Sequence, residues 1–278
     1  MSRPAPQTIL QKLQHTANAL LESGKCSEFD IRRITAEAEK LAQHDALGAM
    51  EVKAMAAVLR QDYVAADGLY ERVLQASGWG EGVLGRYCAL LAISGRSMKI
   101  KAVLERYKLR GSILSPAARA YIAQLLGYCG WLMESGRMRE ELMAAGHSIG
   151  NTSIDAFEYP AVGDGDEQES EMSLFSKQSY LTVPSVLEKN TVDAEALAGL
   201  VGEILCYLRG QGAVATAVRS LGAPRDDGTG SIMVNFVVGR DAEATSNLEW
   251  DLYGFLAEKD PALLSTGVVT VGLVSGCQ

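Results

Sequence analysis

The sequence is poor in several residue types on which specialised folds and sites depend. Aromatic residues make up 6% of the chain, and only 3 histidines occur in 278 residues. The 5 cysteines stand singly and form no Cys-x-x-Cys pair; they are Cys26, Cys88, Cys129, Cys206 and Cys277. An odd number of unpaired positions argues against a disulfide framework or a zinc knuckle. We therefore expect buried thiols in a reducing compartment.

Long apolar runs and a basic charge balance are also missing. No stretch reaches the roughly 18 apolar residues of a membrane span, and the first residues carry no apolar core of a signal peptide. The formal net charge of −8 repels the phosphates of nucleic acids. The 47% of hydrophobic residues is enough for packed cores. These features predict a cytoplasmic protein that binds neither membranes nor nucleic acid.

Apolar residues recur at helical spacing throughout the first half of the chain. Leu13, Ala17 and Leu20 fall on one helical face, for example, and Ser27 with Asp30 is typical of a helix start. Ser115-Pro116 marks another start, because serine caps and proline fits the first helical position. The pattern predicts eight helices, over about 8–22, 28–43, 46–59, 63–76, 83–93, 97–108, 116–134 and a short one to about 145.

Short turns punctuate these helices at nearly regular spacing. We place them at Ser23-Gly24-Lys25, Arg60-Gln61-Asp62, Ser94-Gly95-Arg96 and Ser135-Gly136-Arg137. Their central residues are separated by 37, 34 and 41 residues. A period near 34 with two helices per unit is typical of a helical-hairpin repeat array. The alternative is a plain α-helical bundle with accidental spacing.

At residues 46–108 the pattern resembles the tetratricopeptide repeat. Tyr63, Ala66 and Tyr70 match the aromatic, small and aromatic positions of the second helix of that repeat, while Gln61 replaces its turn glycine. The resemblance extends more loosely over about 8–146, and the repeat-ending proline is absent. It implies a TPR-like domain that acts as an adaptor, scaffold or chaperone-like module, without enzymatic activity or a cofactor, and takes up a protein or peptide partner.

The resemblance also implies which residues contact the partner. We expect exposed positions of the first helices and the basic strip that follows to do so; these are Lys53, Arg60, Arg86, Tyr87, Arg96, Lys99, Lys101 and Arg106. An acidic peptide, or the acidic segment at 164–171 of the chain itself, suits the basic strip. Tyr63, Ala66, Tyr70 and Leu104 are expected to pack between helices instead.

The composition changes at about residue 147. We predict a helical domain over 1–146, a linker or extended arm over 147–190, and an α+β domain over 191–278. In the last domain we expect the order α-β-β-α-β, with helices at 192–209 and 242–258 and strands at 213–221, 231–238 and 267–274. Two of the strands are apolar on both faces, so helices or another chain would cover the sheet.

Residues that could carry chemistry are few. His15, His44 and His147 have no metal-binding spacing, and the carboxylates at 164–167 lack the spacing of an EF-hand, so no metal site is predicted. The glycine-rich 222–230 stretch suits a hairpin turn better than a phosphate cradle. One alternative function is a nucleotide-binding or enzymatic C-terminal domain that uses Asp226, Asp227 and Asp241. Another is a homo-oligomer in which strand 231–238 pairs across a dimer.

Overall fold

The computed structural model describes residues 6–111, 113–147, 183–224, 230–259 and 261–276. Its contacts divide the chain into two compact units, Met1–Ser94 and Gly95–Gln278. The domain limits expected from the sequence, 1–146, 147–190 and 191–278, stay a prediction.

The first half of the chain is helical, as predicted. Its eight helices are α1 (Pro6–Ser23), α2 (Glu28–Leu41), α3 (Ala46–Leu59), α4 (Tyr63–Ala76), α5 (Glu81–Ile93), α6 (Ser97–Leu109), α7 (Pro116–Tyr128) and α8 (Leu132–Ala144). They form a helical-repeat array of helices of similar length. Several starts are fixed by the expected caps: the Ser27 hydroxyl accepts the N–H of Asp30, and the Ser115 hydroxyl accepts that of Ala118.

A left-handed backbone residue separates the two helices of each successive pair. Gly24, Gln61, Gly95 and Gly130 have φ values of 64°, 61°, 71° and 83°. The last three stand two residues before the first residue of the second helix. Glycine adopts this conformation without strain, whereas Gln61 adopts it as a side-chain-bearing residue. The turn is therefore a repeated backbone feature more than a repeated sequence.

The fourth turn lies elsewhere than predicted. Ser135 and Gly136 are buried inside α8, and Gly130 ends the hairpin's first helix instead. The Ser135 hydroxyl donates to the carbonyl of Ala123, and a Cβ on Gly127 would lie 3.1 Å from that hydroxyl oxygen. Ser135 is thus small because α7 and α8 pack closely there, and Gly136 is buried beside it. The predicted helix over 116–134 is accordingly two helices.

The first unit is held together by apolar packing around α3, which is buried on most sides. Ala66 and Tyr70 of α4 are 1% and 2% exposed, as expected for residues that pack between helices. The ring of Tyr70 stacks on that of Tyr87 from α5, with centroids 4.7 Å apart. Burying two aromatic rings in one stack is a large apolar contribution to this unit.

The second unit continues beyond α8 with helices and a small sheet. Its further elements are α9 (Ala194–Gly210), β1 (Ala215–Pro224), β2 (Gly230–Val238), α10 (Ala242–Lys259), α11 (Ala262–Ser265) and β3 (Val269–Ser275). This is the predicted α+β order with one short helix added. Residues 183–189 are helical, so the described end of the expected extended arm is a helix, and Val186 and Leu187 lie in the core of the unit.

The three strands form one mixed sheet in the order β1-β2-β3. β1 and β2 are antiparallel, as expected for a hairpin, and β2 and β3 are parallel because α10 crosses between them. β2 is therefore the central strand, with both edges already paired. Because no free backbone edge remains on β2, residues 231–238 cannot pair edge to edge across a dimer, and a homo-oligomer through this domain stays a prediction.

The core of the second unit lies on one face of the sheet. Ile232, Val234 and Phe236 of β2 are fully buried there, in one apolar cluster with Ile204 of α9 and Leu252 of α10. Alternation along the strand sends the next side chain to the opposite face, where Met233 is 47% exposed. One face of the sheet is thus covered by helices, and the other is exposed at Met233 and buried at Val237, which is 7% exposed.

Candidate functional site

An open groove lies within the second unit where the start of α6 meets α9 and α10. It has a volume of about 700 Å³. Its walls come from the turn and first residues of α6, from one face of α9, and from the end of α10; they are Gly95, Arg96, Ser97, Met98, Lys99, Gly199, Gly202, Glu203, Cys206, Tyr207, Phe255 and Lys259. We call this cavity the α6 groove.

The base of the α6 groove depends on close contact between α6 and α9. The Ser97 hydroxyl donates to the carbonyl of Ala198 at 2.8 Å, and the indole Nε1 of Trp131 donates to the Ser97 carbonyl at 3.0 Å. A Cβ on Gly202 would lie 2.5 Å from the Ser97 hydroxyl oxygen. Because there is no room for a side chain there, glycine at 202 lets the two helices approach.

Two aromatic rings form one wall of the groove. Tyr207 of α9 and Phe255 of α10 stack with their centroids 4.5 Å apart. The ammonium of Lys259 lies 5.7 Å from the centroid of Phe255 and 3.9 Å from a carboxylate oxygen of Glu203. Desolvation, followed by the charge of Asp251, raises the pKa of the Tyr207 hydroxyl, so it stays neutral and can donate a hydrogen bond.

The groove is basic. Among the described residues, Arg96, Lys99 and Lys259 line it together with one carboxylate, Glu203. Arg96 is also the N-cap residue of α6 and provides no side-chain cap, so the positive end of the helix dipole adds to these charges. A groove with this balance attracts a negatively charged group.

The structure divides the predicted basic strip. Arg96 and Lys99 line the α6 groove, and Arg106 is exposed on α6. Lys101 points elsewhere: its ammonium lies 3.1 Å from Glu195 and 4.4 Å from the centroid of the Trp131 ring. The hydrogen bond to Glu195 is the main reason that the pKa of Lys101 is raised. Lys101 thus joins α6 to α9.

Lys53 and Arg60, predicted as exposed partner contacts, form ion pairs within the first unit. The Arg60 guanidinium lies 3.0 Å from Glu28, which also pairs with Arg32. Lys53 lies 3.9 Å from Glu39, and about a third of its side chain is exposed (33%). Both remain accessible enough to meet a partner.

Arg86 and Tyr87 are not the exposed residues that we expected. Arg86 donates two hydrogen bonds of 2.8 Å to the buried carboxylate of Glu51, and Gln14 donates a third to the same group. Tyr87 is 1% exposed and donates its hydroxyl to Asp67 at 2.8 Å. The expectation of exposure is wrong for Tyr87, because its ring is needed in the stack with Tyr70. Their part in partner binding stays a prediction.

Glu51 was not singled out from the sequence. It lies on α3, 37 residues after Gln14 and 35 before Arg86, so the three groups occupy similar places in successive first helices. That near-repeat spacing is the sequence feature that could have found them. A bidentate pair of this kind fixes the relative position of the helices that carry it.

Of the three carboxylates that the alternative enzymatic function would use, the structure describes Asp241 alone, and that function stays a prediction. Asp241 caps α10 by accepting the N–H of Ala244 at 2.8 Å, and Asp226 and Asp227 lie outside the described residues, as do the carboxylates at 164–167. His15, His44 and His147 are exposed. Among the described residues, no group of three or more His, Cys, Asp and Glu side chains is arranged to hold a metal ion.

The thiols are only partly as expected. Cys88 and Cys129 are buried, but Cys26 and Cys206 are exposed. Burial raises the pKa of the Cys88 thiol to about 12 and also raises that of Cys206. Because the thiolate is the nucleophilic form, Cys206 is poorly suited to act as a nucleophile in the groove.

Tyr207, Phe255 and Lys259 were missed as site residues. They stand on two helices separated by the whole β-hairpin, and their own helices predict only an apolar stripe. No local pattern brings them beside Arg96 and Lys99.

No protein-family model, no curated protein and no solved structure matches the chain. Nor does any helix among the described residues combine the length and apolarity that crossing a membrane requires.

Proposed function

We propose that the chain is a non-enzymatic protein-interaction module, an adaptor or scaffold, that binds an acidic segment of a partner protein in the α6 groove. The charge of the groove is the observation that carries this proposal: of the described residues that line it, Arg96, Lys99 and Lys259 are cations and Glu203 is a carboxylate. A peptide carboxylate placed there would gain charge-assisted hydrogen bonds from Arg96 and Lys99.

The aromatic wall supports a peptide as the ligand. Tyr207 and Phe255 offer an apolar surface beside the cations, and Tyr207 keeps a neutral hydroxyl. Interfaces with partner proteins are typically built in this way, from aromatic and arginine anchors with charged groups around them. The helical-repeat array and its resemblance to the tetratricopeptide repeat favour the same class of function, because such arrays present long surfaces to partners.

Binding of a small phosphate ligand is the competing function. The turn at 94–96 contains one glycine, Gly95, and a Cβ there would lie 2.8 Å from the carbonyl oxygen of Gly202. That backbone is therefore occupied by α9 and is not free to wrap around a phosphate, as a glycine-rich phosphate loop would be.

The experiment measures fluorescence anisotropy of a short labelled peptide that combines glutamates with one tryptophan. We expect binding that weakens with added salt, and about tenfold weaker binding for Arg96→Glu and for Lys99→Glu. Lys108→Glu is the matched control, because Lys108 is exposed on the same helix but does not line the groove. Melting curves of each variant show that the fold is retained.

Three results would contradict the proposal. One is the absence of peptide binding, and another is an equal loss of binding in Lys108→Glu, which would assign the peptide to the whole strip instead of the groove. The third is a rise in melting temperature with ATP or inorganic phosphate in the absence of peptide binding, which would favour the phosphate-ligand function.

A further inference from the structure

One face of the sheet is exposed and has the composition of an interface. We call it the outer sheet face; its main residues are Arg219, Leu221, Met233, Asn235, Thr270 and Val274. Leu221, Met233 and Val274 are 43%, 47% and 39% exposed. Leu221 and Met233 are cross-strand partners and form an exposed apolar patch, and Val274 lies on the same face, four residues along β3 from Thr270, the partner of Met233. Such patches usually mark a contact with another protein.

The strand register places the polar groups of this face in one row across the sheet. Arg219 of β1 is paired with Asn235 of β2, which is paired with Gly272 of β3. Beyond Gly272 comes Glu249 of α10, whose Oε1 lies 3.3 Å from the position of a Cβ on that glycine. A cation therefore stands at the β1 end of the row and a carboxylate at the β3 end.

The two charges differ in how they are satisfied. Glu249 accepts the N–H of Leu273 at 2.8 Å and the hydroxyl of Tyr253 at 3.0 Å, both on Oε1. Arg219 is exposed, and it has no hydrogen-bond or ion-pair partner among the described residues. A cation without a partner beside apolar surface is costly to cover unless the covering surface brings a carboxylate.

We propose that the outer sheet face binds a second copy of this chain, face to face, around a twofold axis parallel to β2. With this axis, β1 of one copy lies over β3 of the other. The polar rows of the two copies then lie opposite each other. Arg219 of each copy then faces Glu249 of the second copy, and the two Asn235 side chains meet at the axis. An axis perpendicular to the strands would instead place Arg219 opposite Arg219. The face is thus self-complementary in one orientation.

The apolar residues agree with this arrangement. Leu221 and Met233 lie on one side of the polar row and Val274 on the other, so apolar surface is buried on both sides of that row. Facing sheets pack about 10 Å apart, a gap that residues of this size fill. Trp250, 74% exposed, makes an edge contact with Tyr253 beside β3 and would lie at the rim. This inference does not depend on the α6 groove.

Growth of the sheet at the β3 edge is opposed by α10. The N–H of Leu273 is bonded to Glu249, and the hydroxyl of Tyr253 lies 3.4 Å from the carbonyl of Val271. Because these side chains occupy the edge, another strand cannot add there without displacing them. Strand addition is therefore not expected at the β3 edge.

Sedimentation velocity of the full chain over a range of micromolar concentrations tests the proposal. We expect a dimer for the wild type and a monomer for Met233→Glu. Arg219→Glu places two carboxylates opposite each other and should weaken the dimer on the order of a hundredfold. The control is Lys12→Glu, the same charge change at an exposed position of α1, which should leave the dimer unchanged.

Mixing two variants tests the orientation. Arg219→Glu alone and Glu249→Arg alone each create like-charge contacts, whereas a mixture of the two chains restores attraction at both sites. The mixture should therefore form a heterodimer. Circular dichroism shows whether Glu249→Arg, which also loses its bond to Leu273, still folds; if it does not, Arg219→Glu and Met233→Glu decide the question.

Several outcomes would overturn the proposal. A monomeric wild type would do so, and it would leave the face to a different protein. A dimer that survives both Met233→Glu and Arg219→Glu would place the contact elsewhere. A third outcome is that Met233→Glu and Arg219→Glu both dissociate the dimer while folded Arg219→Glu and Glu249→Arg chains form no heterodimer. That combination would show that the proposed twofold axis is wrong.

Discussion

Gly95 and Gly202 are packed backbone against backbone. A Cβ on either residue would lie 2.8 Å from the carbonyl oxygen of the other. Gly95 also has a φ of 71°, which disfavours any side chain. A repeat turn that could be explained by local conformation alone therefore has a second role, because it is the place where α9 reaches α6.

Substitutions of two glycines of α9, Gly199 and Gly202, distinguish the effect of this packing on stability from the effect of helix propensity. Gly202→Ala should destabilise the protein by about 2–3 kcal/mol, since its Cβ would overlap Ser97 and Gly95. Gly199→Ala, with nothing within 4 Å of its Cβ, should instead stabilise by about 0.5–1 kcal/mol. Urea unfolding measures both, and equal effects would contradict the packing argument.

The turn glycines provide a second comparison. Gly95 and Gly111 share a φ of 71°, but only Gly95 has atoms of α9 where a Cβ would stand. Gly111→Ala should cost about 1 kcal/mol for the left-handed backbone. Gly95→Ala adds a clash with backbone and is expected to cost about 3 kcal/mol or more. Thermal melts of the two variants check the difference, which should vanish if α9 does not pack on this turn.

The ion pair between Glu51 and Arg86 should be essential to the first unit. Glu51 is 3% exposed, so Arg86→Met leaves a buried carboxylate with Gln14 as its one remaining partner of the triad. We expect a loss of about 3–5 kcal/mol in the free energy of unfolding. Arg32→Met breaks an exposed pair with Glu28 and should cost under about 1 kcal/mol. A similar small loss for both variants would show that Glu51 is hydrated.

The start of α2 should contribute stability that depends on pH. Hydrogen bonds from the side chain and the backbone N–H of Ser27 lower the pKa of Asp30 below its usual 3.8. A lowered carboxyl pKa stabilises the fold above the usual value, and this is lost as pH falls through the lowered one. The stability difference between wild type and Ser27→Ala should therefore shrink under acid conditions. Urea unfolding of the two proteins over a range of acidic pH measures this change.

The cysteines should differ in reactivity. Exposed Cys26 is expected to react with iodoacetamide in the native protein, and Cys206 to react more slowly because its pKa is raised. Cys88, with a pKa raised to about 12, should react only on unfolding. Mass spectrometry of the separate peptides measures each rate. Rapid native labelling of Cys88 would show that the α5 core opens readily.

Local patterns predicted most of the secondary structure because they depend on residues close in sequence. The limits of α3 and α4 were predicted to the residue, since Asp62 caps α4 and the apolar period is clear. The same reasoning failed at Ser135-Gly136, where small residues serve helix packing. A glycine can form a turn or can allow another helix to pack closely, and the local sequence does not distinguish these two roles.

The sequence by itself determined the helical array, the α+β order of the second half and the packing role of Tyr70. These follow from period, caps and turns, which act over a few residues. Only the tertiary structure decided that Arg86 neutralises Glu51, and that Lys99 and Lys259 share a groove. Contacts such as that from Ser97 to Ala198 join residues about a hundred positions apart. Their partners are set by how whole elements pack, and no local pattern encodes that choice.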